Sequence, residues 1–221
     1  MPRDGTATKA RLLREAERLF ARRGLYQVTV REILAAAGQR NVSALTYHFG
    51  SRGGVPIGWR DGVLDAVLER HGAPTDDARG RMHRAIGPNG STHDLVAALV
   101  VPYAVHLSSP EGRDYLRIVA QLSARFSSWR DLNPGTGPNL IAILGVLEQR
   151  GPSVAAPIRR ERVIELIMLM TVALAERARL VESGRRAVEL DEATFIADLT
   201  DVLVGIIDAP SRGPLPSFGA V

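Results

Sequence analysis

Cysteine is absent from this chain of 221 residues. Its absence excludes disulfide scaffolds, thiolate zinc sites and thiol catalysis, and it suits a reducing cytoplasm. Long apolar runs are also missing, since the run at 166–175 is far shorter than the ~20 residues that span a bilayer. The N-terminus lacks the unbroken apolar core of a secretion signal. We therefore expect a soluble, cytoplasmic protein with no membrane partner.

The easily recognised catalytic motifs are missing as well. The chain contains no GxSxG elbow, no P-loop and no HExxH site. His48 has no second His or carboxylate at the i+3 or i+4 position, and His83, His93 and His106 are scattered along the chain. We predict no catalytic residue, no metal and no cofactor, and an all-α enzyme is the weak alternative.

Lysine is nearly absent, and the positive charge is unevenly placed. Lys9 is the single lysine, so arginine supplies the rest of the basic residues. Residues 1–61 hold eleven Lys and Arg against five Asp and Glu, whereas the remainder holds seventeen against nineteen. The basic surplus belongs to the N-terminal part, where it suits contact with phosphates.

Three short helices are predicted in the first fifty residues. Apolar positions from Leu12 to Phe20 form a helical stripe that Gly24 ends. Thr29 is placed to cap the second helix, and Gly38 ends it. Tight turns join three helices of this kind in a helix-turn-helix, in which two helices brace a third for the major groove, and a plain three-helix bundle is the alternative.

The third helix, predicted at 42–49, has an apolar and a polar side. Val42, Leu45 and Phe49 share the apolar side. The residues expected to point outward are Ser43, Ala44, Tyr47 and His48, with Thr46 beside them. Exposed tyrosine and histidine fit hydrogen bonding to phosphates and base edges better than they fit a merely solvated face.

The rest of the chain reads as further helices. The amphipathic segments lie at 55–70, 95–107, 115–129, 140–147, 159–181 and 192–207, and none shows sustained period-2 alternation. The first of these segments is predicted to begin late, near Val55, because glycines and Pro56 disfavour an earlier helix start. It is predicted to end after residue 70, where the turn-forming residues of HGAPTDDARG begin. The fold class is all-α.

The segment LFARRGLYQVTVREILAAAGQRNVSALTYHFGSR resembles the N-terminal signature of the TetR family of repressors, over residues 9–52. The shared marks are Phe20 before Gly24, Thr29 with Val30, Ala37 with Gly38, the run Tyr47, His48 and Phe49, and Arg52. The resemblance implies an N-terminal three-helix helix-turn-helix domain at 1–52 and a larger helical ligand-binding and dimerisation domain at 53–208. Residues 209–221, rich in Pro, Gly and Ser, are expected to form a mobile tail.

The resemblance also implies a set of DNA contacts. Thr29 and Arg31 would touch phosphates, residues 40–46 would supply base contacts, and the end of the third helix would grip the backbone. The predicted DNA-binding residues are Thr29, Arg31, Arg40, Asn41, Ser43, Ala44, Thr46, Tyr47, His48 and Arg52.

Three features depart from the usual family pattern. The turn AGQRN is one residue longer, so either Arg40 or Asn41 could reach the groove. Thr46 stands where an aromatic residue is common, and Ala44 where threonine is common, so the DNA sequence should differ too. The late fourth helix leaves Arg52 in a loop.

The middle helices interleave aromatic and polar groups among aliphatic ones. The candidate effector-binding residues are Tyr103, His106, Tyr115, Arg117, Gln121, Phe126 and Trp129. Such a lining suits a small, mainly apolar molecule, although the same residues could merely fill a core. An effector site requires a cavity, whereas core packing does not.

Apolar residues surround most of the segment 163–174, which therefore needs a second packing partner. Burial within the monomer is one explanation, and the resemblance implies another, a four-helix dimer interface made by the last two long helices. The candidate interface residues are Ile167, Met170, Leu174, Leu199, Leu203 and Ile206. A homodimer matches half-sites about one DNA turn, ~34 to 36 Å, apart.

The sequence thus predicts a ligand-responsive repressor that binds a palindromic double-stranded operator as a homodimer and is released by a small-molecule effector. An architectural DNA-binding protein without a ligand is the alternative. It differs in needing no cavity in the C-terminal part, which is longer than dimerisation alone requires.

Overall fold

The computed structural model describes residues 5–52, 54–123, 136–184 and 189–213, without the side chains of Arg52 and Val55. The helices are α1 Gly5–Arg23, α2 Val30–Ala36, α3 Ala44–Phe49, α4 Trp59–Ile86, α5 Thr92–Ala104, α6 Pro110–Ser123, α7 Pro138–Glu148, α8 Ala156–Glu182 and α9 Glu192–Asp208. A 3-10 turn, Val105–Ser108, follows α5, and two-residue strands β1 Ser51–Arg52 and β2 Val55–Pro56 pair antiparallel between α3 and α4. The predicted all-α class is confirmed.

The first three helices form an N-terminal head whose local signals act as predicted. Gly24 and Gly38 follow α1 and α2 with positive φ values of 98° and 62°, which glycine adopts without steric cost. Thr29 caps α2, because its hydroxyl accepts a hydrogen bond from the amide of Glu32 at 3.4 Å while the Glu32 carboxylate accepts one from the amide of Thr29 at 2.9 Å.

The fourth helix begins at Trp59, so the start predicted near Val55 is wrong. Val55 precedes a proline and is held in extended backbone, opposite Arg52 in the short ribbon. The helix then passes very close to the end of α3, since a Cβ on Gly62 would lie 1.7 Å from the carbonyl oxygen of Phe49. Glycine at this position is what lets α4 contact the head.

The end predicted for this helix after residue 70 is also wrong, because α4 continues through Pro74 to Ile86. Its inward face explains the continuation. Buried residues recur every four positions, at Val63, Val67, His71, Thr75 and Arg79. Packing of this stripe against the neighbouring helices outweighs the cost of a proline within the helix.

The remaining helices form a body around one core that is continuous with that of the head. Helix α1 packs against α4 and α6, while α8 and α9 pack against each other. Arg60, at the start of α4, fastens the head by donating to the carbonyls of Leu25 at 3.0 Å and Val28 at 2.9 Å. Among the described helices, none has the length and apolarity needed to cross a bilayer. Of the predicted mobile tail, residues 214–221 lie outside the described ranges.

Candidate nucleic-acid interface and buried polar cluster

Helix α3 presents an exposed polar and aromatic side. Tyr47 is 84% exposed, and the His48 ring stands edge-on to it with centroids 5.0 Å apart. Ser43 and Thr46 are exposed as well, which confirms the predicted orientation of these side chains. This side of α3 can donate and accept hydrogen bonds through its own side chains, two of which are rigid rings. Such a surface suits contact with a nucleic acid.

Two residues at the start of α3 are placed opposite to expectation. Ala44 is buried in the core, so the prediction that it points outward is wrong. Val42 is exposed instead of packing inward with Leu45 and Phe49. The physical reason is that α3 begins at Ala44, so Val42 stands in the preceding turn and does not follow the helical period.

The polar turn before α3 engages Asn41 and extends Arg40. The side-chain oxygen of Asn41 accepts a hydrogen bond from the amide of Ser43 at 3.0 Å, which closes the turn. Arg40 is exposed, as is Arg31 on α2. Of the two candidates for the groove, Arg40 thus keeps its full set of donors while Asn41 already has a structural role. The side chain of Arg52 lies outside the described residues.

The Thr29 hydroxyl, predicted to touch a phosphate, is engaged within the chain. It donates to the Glu32 carboxylate at 2.8 Å, and Arg23 donates to the same carboxylate at 2.5 Å. Hydrogen bonds from the backbone and hydroxyl of Thr29, followed by that from Arg23, lower the pKa of Glu32 to about 2. Thr29 holds the start of α2 in place, and its contact with DNA stays a prediction.

The surroundings of His48 favour its neutral form. Partial burial, and then the positive charge of Lys9, lower the pKa of the imidazole below its ordinary value. The Lys9 ammonium lies 5.6 Å from the centroid of the Phe49 ring, so it adds charge at the same side of the head. Sequence reasoning did not assign Lys9 a role, although its position as the only lysine inside the basic N-terminal part was the available signal.

A second polar site lies inside the body, where the structure brings together three candidate effector residues. The ring of Tyr115 lies 4.7 Å from that of His106 and 5.9 Å from that of Tyr103, centroid to centroid. His71 of α4 stacks on Tyr115 at 4.7 Å. These side chains, together with Glu17, Thr75 and Arg79, are called the buried polar cluster below.

Hydrogen bonds link the cluster to the head. The Nε2 atom of His71 lies 2.6 Å from a carboxylate oxygen of Glu17 on α1. Thr75 donates to the carbonyl of His71 at 2.7 Å, and its hydroxyl oxygen lies 2.8 Å from Nε2 of His106. Burial, and then the charges of His71 and Arg79, lower the pKa of His106 to about 4, while burial raises that of Tyr115 to about 12. Both groups are neutral at pH ~7.

Arg117 and Gln121, also predicted to bind an effector, do not join the cluster. Gln121 donates to the carbonyl of Phe20 at 3.1 Å and accepts from the amide of Leu25 at 2.9 Å, so it fastens α6 to the head. Arg117 donates to Glu182 of α8. Both residues line an open groove of about 690 Å³ between α1, α6 and α8, apart from Tyr103, and their part in binding an effector stays a prediction. Phe126 and Trp129 lie outside the described residues.

The predicted dimer residues pack largely within the single chain. Ile167, Met170, Leu174, Leu199 and Leu203 are buried, and Ile206 is half-buried against the core. The apolar residues around α8 find their second partner in α6 and α9 of the same chain. Five of the six residues are thus covered within the single chain, and their part in a dimer interface stays a prediction.

Different apolar residues remain on the outside of α8 and α9. Met168, Leu169 and Val172 stand exposed on successive turns of α8, and Val202 is exposed on α9. A Cβ on Gly205 of α9 would meet no other atom within 4 Å. An exposed apolar strip beside small residues lets another helix approach closely.

Four residues of the cluster were missed by sequence reasoning: Glu17, His71, Thr75 and Arg79. The four-residue spacing of His71, Thr75 and Arg79 could have indicated a buried helical stripe. It was overlooked because the segment HGAPTDDARG was interpreted as a turn. Within the described ranges, no group of three His, Asp or Glu side chains could hold a metal ion.

Comparison with known proteins finds a family to which the head is similar. Residues 12–55 match the model of the bacterial regulatory proteins of the tetR family. Among curated protein sequences, none matches the chain significantly. The segment matched by the family model spans the capping box of α2, α3 and the ribbon.

Solved structures resemble the chain over most of its length. A transcriptional regulator from Rhodococcus sp. Rha1 has a TM-score of 0.50 at 15% identity, covering 90% of this chain and 95% of its own. The fatty acid degradation regulator FadR from Bacillus halodurans has the same TM-score and coverage at 14% identity. At such identities the likeness shows a shared fold. The family model and both structures carry the descriptions of regulators.

Proposed function

We propose that this chain is a transcriptional regulator of the tetR family, to whose model its head is similar, and that it is a cytoplasmic, dimeric repressor released from a palindromic operator by a small, mainly apolar effector. The exposed side of α3 carries this proposal. A tyrosine that is 84% exposed beside a neutral histidine, on a head with a basic surplus, has no packing role. It fits a surface that is covered when DNA is bound.

The contacts divide by their chemistry. Ser43, Thr46 and Arg40 stand at the start of α3 and before it, where side chains of a recognition helix meet base edges. Tyr47, and His48 through its neutral N–H, donate to backbone phosphates, as do Arg31 and Arg52. Thr29 contributes mainly by fixing the start of α2, since its hydroxyl already donates to Glu32.

Selection from a random duplex pool tests operator recognition. The protein should enrich a two-fold symmetric sequence with half-sites ~34 to 36 Å apart, about one helical turn. Because several phosphates are contacted by each subunit, affinity should fall steeply with salt concentration. A pool that shows no enrichment, or affinity equal for selected and random duplexes, would contradict the repressor proposal.

The dimer is proposed to form through the exposed strip of α8 and α9. Met168, Leu169 and Val172 present apolar surface in consecutive turns, and Gly205 lets the partner helix approach. Two copies of this strip meeting about a two-fold axis would bury the apolar surface that each chain leaves exposed. The N-terminal heads of the two subunits would then be held at one fixed distance from each other.

Sedimentation of charge variants tests this assembly. The wild-type protein should sediment as a dimer without DNA, and Val172→Glu should shift it to monomer because an uncompensated charge is buried in the interface. Val42→Glu is the matched control, since Val42 is another exposed valine, on the head, and it should leave the dimer intact. Dimerisation that survives Val172→Glu would place the interface elsewhere.

The effector is proposed to act through α4. One end of this helix touches α3 at Gly62, and its middle carries the buried polar cluster. A ligand that separates the rings of the cluster would shift α4 and with it the head. It must bind the DNA-free arrangement more tightly, by about 1.4 kcal/mol for each tenfold loss of DNA affinity.

The architectural alternative makes a different prediction. A protein without an effector should show no compound that both raises its melting temperature and lowers its affinity for the selected duplex. Screening hydrophobic metabolites for both effects separates the two functions. Compounds that stabilise the protein but leave DNA binding unchanged would contradict the coupling through α4.

A further inference from the structure

Arg79 is a buried cation with no ion pair among the described residues. Its side chain belongs to a residue only 6% exposed, and its Nε atom has no hydrogen-bond partner. The carboxylate of Asp76, one turn earlier on α4, acts on Arg79 through its charge but accepts hydrogen bonds from the amides of Asn139 at 3.1 Å and Leu140 at 2.8 Å. A guanidinium remains protonated even when buried, so Arg79 keeps a charge that no directly bonded carboxylate neutralises.

A second unpartnered donor lies beside it. The hydroxyl of Tyr103 is buried and has no hydrogen-bond partner, in a residue that is 2% exposed. The guanidinium carbon of Arg79 lies 5.8 Å from the centroid of the Tyr103 ring. Two buried hydrogen-bond donors without partners at one place are unusual, because buried polar groups are nearly always paired. Leaving them unpaired lowers the stability of the fold.

The Nε atoms of Arg113 and Arg177 are also buried without a hydrogen-bond partner, so an orphaned Nε does not by itself single out Arg79. Arg177 donates to the carbonyl of Leu190 at 2.7 Å and lies 4.9 Å from the centroid of the Phe195 ring. Arg113 donates to the carbonyl of Leu107 at 2.9 Å. What distinguishes these two arginines is that another nitrogen of each guanidinium donates to a backbone carbonyl, whereas no such bond of Arg79 is found among the described residues.

We propose that Arg79 and Tyr103 bind the anionic group of a small organic acid, within the buried polar cluster. A carboxylate accepts two parallel hydrogen bonds from a guanidinium, and its remaining lone pairs accept one from the Tyr103 hydroxyl. The surrounding rings of Tyr115 and His106 would hold the apolar body of the acid. The proposal rests on the effector response argued above, for which it names the chemical class of the effector.

The rings of the cluster contact one another in the ligand-free protein, so a bound acid must separate them. The linkage to the head runs through the same groups, since His71 joins the Tyr115 ring to Glu17 of α1. Binding at Arg79 is therefore expected to change the near-ultraviolet circular dichroism of the tyrosines along with the stability of the head.

Thermal unfolding with a defined set of probes tests the site. The probes are sodium benzoate and sodium octanoate, their neutral amides, inorganic phosphate and sodium chloride. We expect at least one carboxylate to raise the melting temperature of the wild-type protein by roughly 5 to 10 °C at about 100 times its Kd, with little effect from the matching amide. Equal stabilisation by phosphate or chloride would overturn the assignment to an organic acid.

Variants locate the effect. Arg79→Met should abolish the response to the carboxylate, Tyr103→Phe should weaken it several-fold, and Arg177→Met, which removes a buried arginine outside the cluster, should preserve it. Without any probe, in a buffer of low anion content, Arg79→Met should raise the melting temperature because an unpaired buried charge is replaced by an apolar side chain. A lower melting temperature for Arg79→Met, or an equal carboxylate response in this variant, would overturn the proposal.

DNA binding separates this proposal from the repressor function. If a carboxylate binds at Arg79 but leaves the affinity for the selected duplex unchanged, the anion site stands and the effector role fails. If Arg79→Met still binds the duplex but is no longer released by the carboxylate, both the anion site and the effector role are supported.

Discussion

The exposed side of α3 and the buried polar cluster depart from the usual distribution of side chains in opposite directions. On α3 an aromatic ring that would ordinarily pack stands in solvent, at Tyr47. In the cluster, charged groups that would ordinarily stand in solvent are enclosed, at Glu17 and Arg79. In both places the folded chain alone leaves hydrogen-bonding capacity unused.

The difference between the two regions lies in how each affects stability. Substitution of an exposed side chain changes folding little, so the α3 surface can be altered and its binding measured directly. The cluster contributes to both folding and signalling, because Glu17 and His71 join the head to the body. Its variants therefore need stability measurements beside the binding assays.

The largest effect is expected at Glu17. Its carboxylate is buried, lies 2.6 Å from Nε2 of His71 and accepts from Arg70 at 3.4 Å. Glu17→Ala leaves these partners unpaired and should lower the free energy of unfolding by about 3 kcal/mol in urea denaturation. Glu15→Ala is the matched control on the same helix, since Glu15 pairs with Arg18 near the surface, and it should cost less than ~1 kcal/mol. Equal losses of unfolding free energy in the two variants would show that the contacts of Glu17 stabilise the fold no more than a surface ion pair does.

A smaller effect is expected from His106 as the pH falls. Its pKa is about 4 in the folded chain against an ordinary value of 6.5, so the fold favours the neutral ring. The stability that this gives is fully present above pH ~6.5 and is lost as the pH falls toward ~4. Allowing for partial exposure, the loss should be roughly 2 kcal/mol.

The His106→Gln variant isolates that contribution. Asp114, whose pKa burial raises to about 6, acts in the opposite direction over the same pH range but is present in both proteins. The difference in unfolding free energy between wild type and His106→Gln should therefore narrow as the pH falls. A difference that stays constant with pH would show that His106 is not held neutral.

The smallest effect on stability is expected at the start of α2, in the N-terminal head. Thr29→Ala removes the cap and should cost about 1 kcal/mol of stability. Thr29→Asn supplies another capping oxygen and should restore most of the loss. Circular dichroism on thermal unfolding compares the two variants, and an asparagine variant as unstable as the alanine variant would contradict a capping role.

The elements that could be predicted from the sequence were those with strong local signals. Thr29 with Glu32, and Gly24 after α1, fix helix ends through contacts a few residues apart. The outward side of α3 followed from helical periodicity once Tyr47 and His48 were placed on it. Local chemistry determines these features, so no knowledge of the tertiary structure was required.

The features that escaped prediction depend on tertiary packing. Helix α4 continues through Pro74 because its buried stripe has partners on α1, α5 and α6, which the local sequence does not reveal. Gln121 was assigned to an effector site, but its amide bonds to the head residue Phe20, 101 positions away along the chain. The pairing of Glu17 with His71 likewise joins distant positions.

The most direct test compares two exposed tyrosines of the same head. Tyr47 on α3 is 84% exposed and Tyr26 between α1 and α2 is 61% exposed. If the side of α3 binds the operator, Tyr47→Ala should lower the affinity for the selected duplex about 10- to 100-fold. Tyr26→Ala should change that affinity less than about twofold, and both variants should melt within a few degrees of the wild type. Equal DNA affinities for the two variants would contradict DNA recognition by α3.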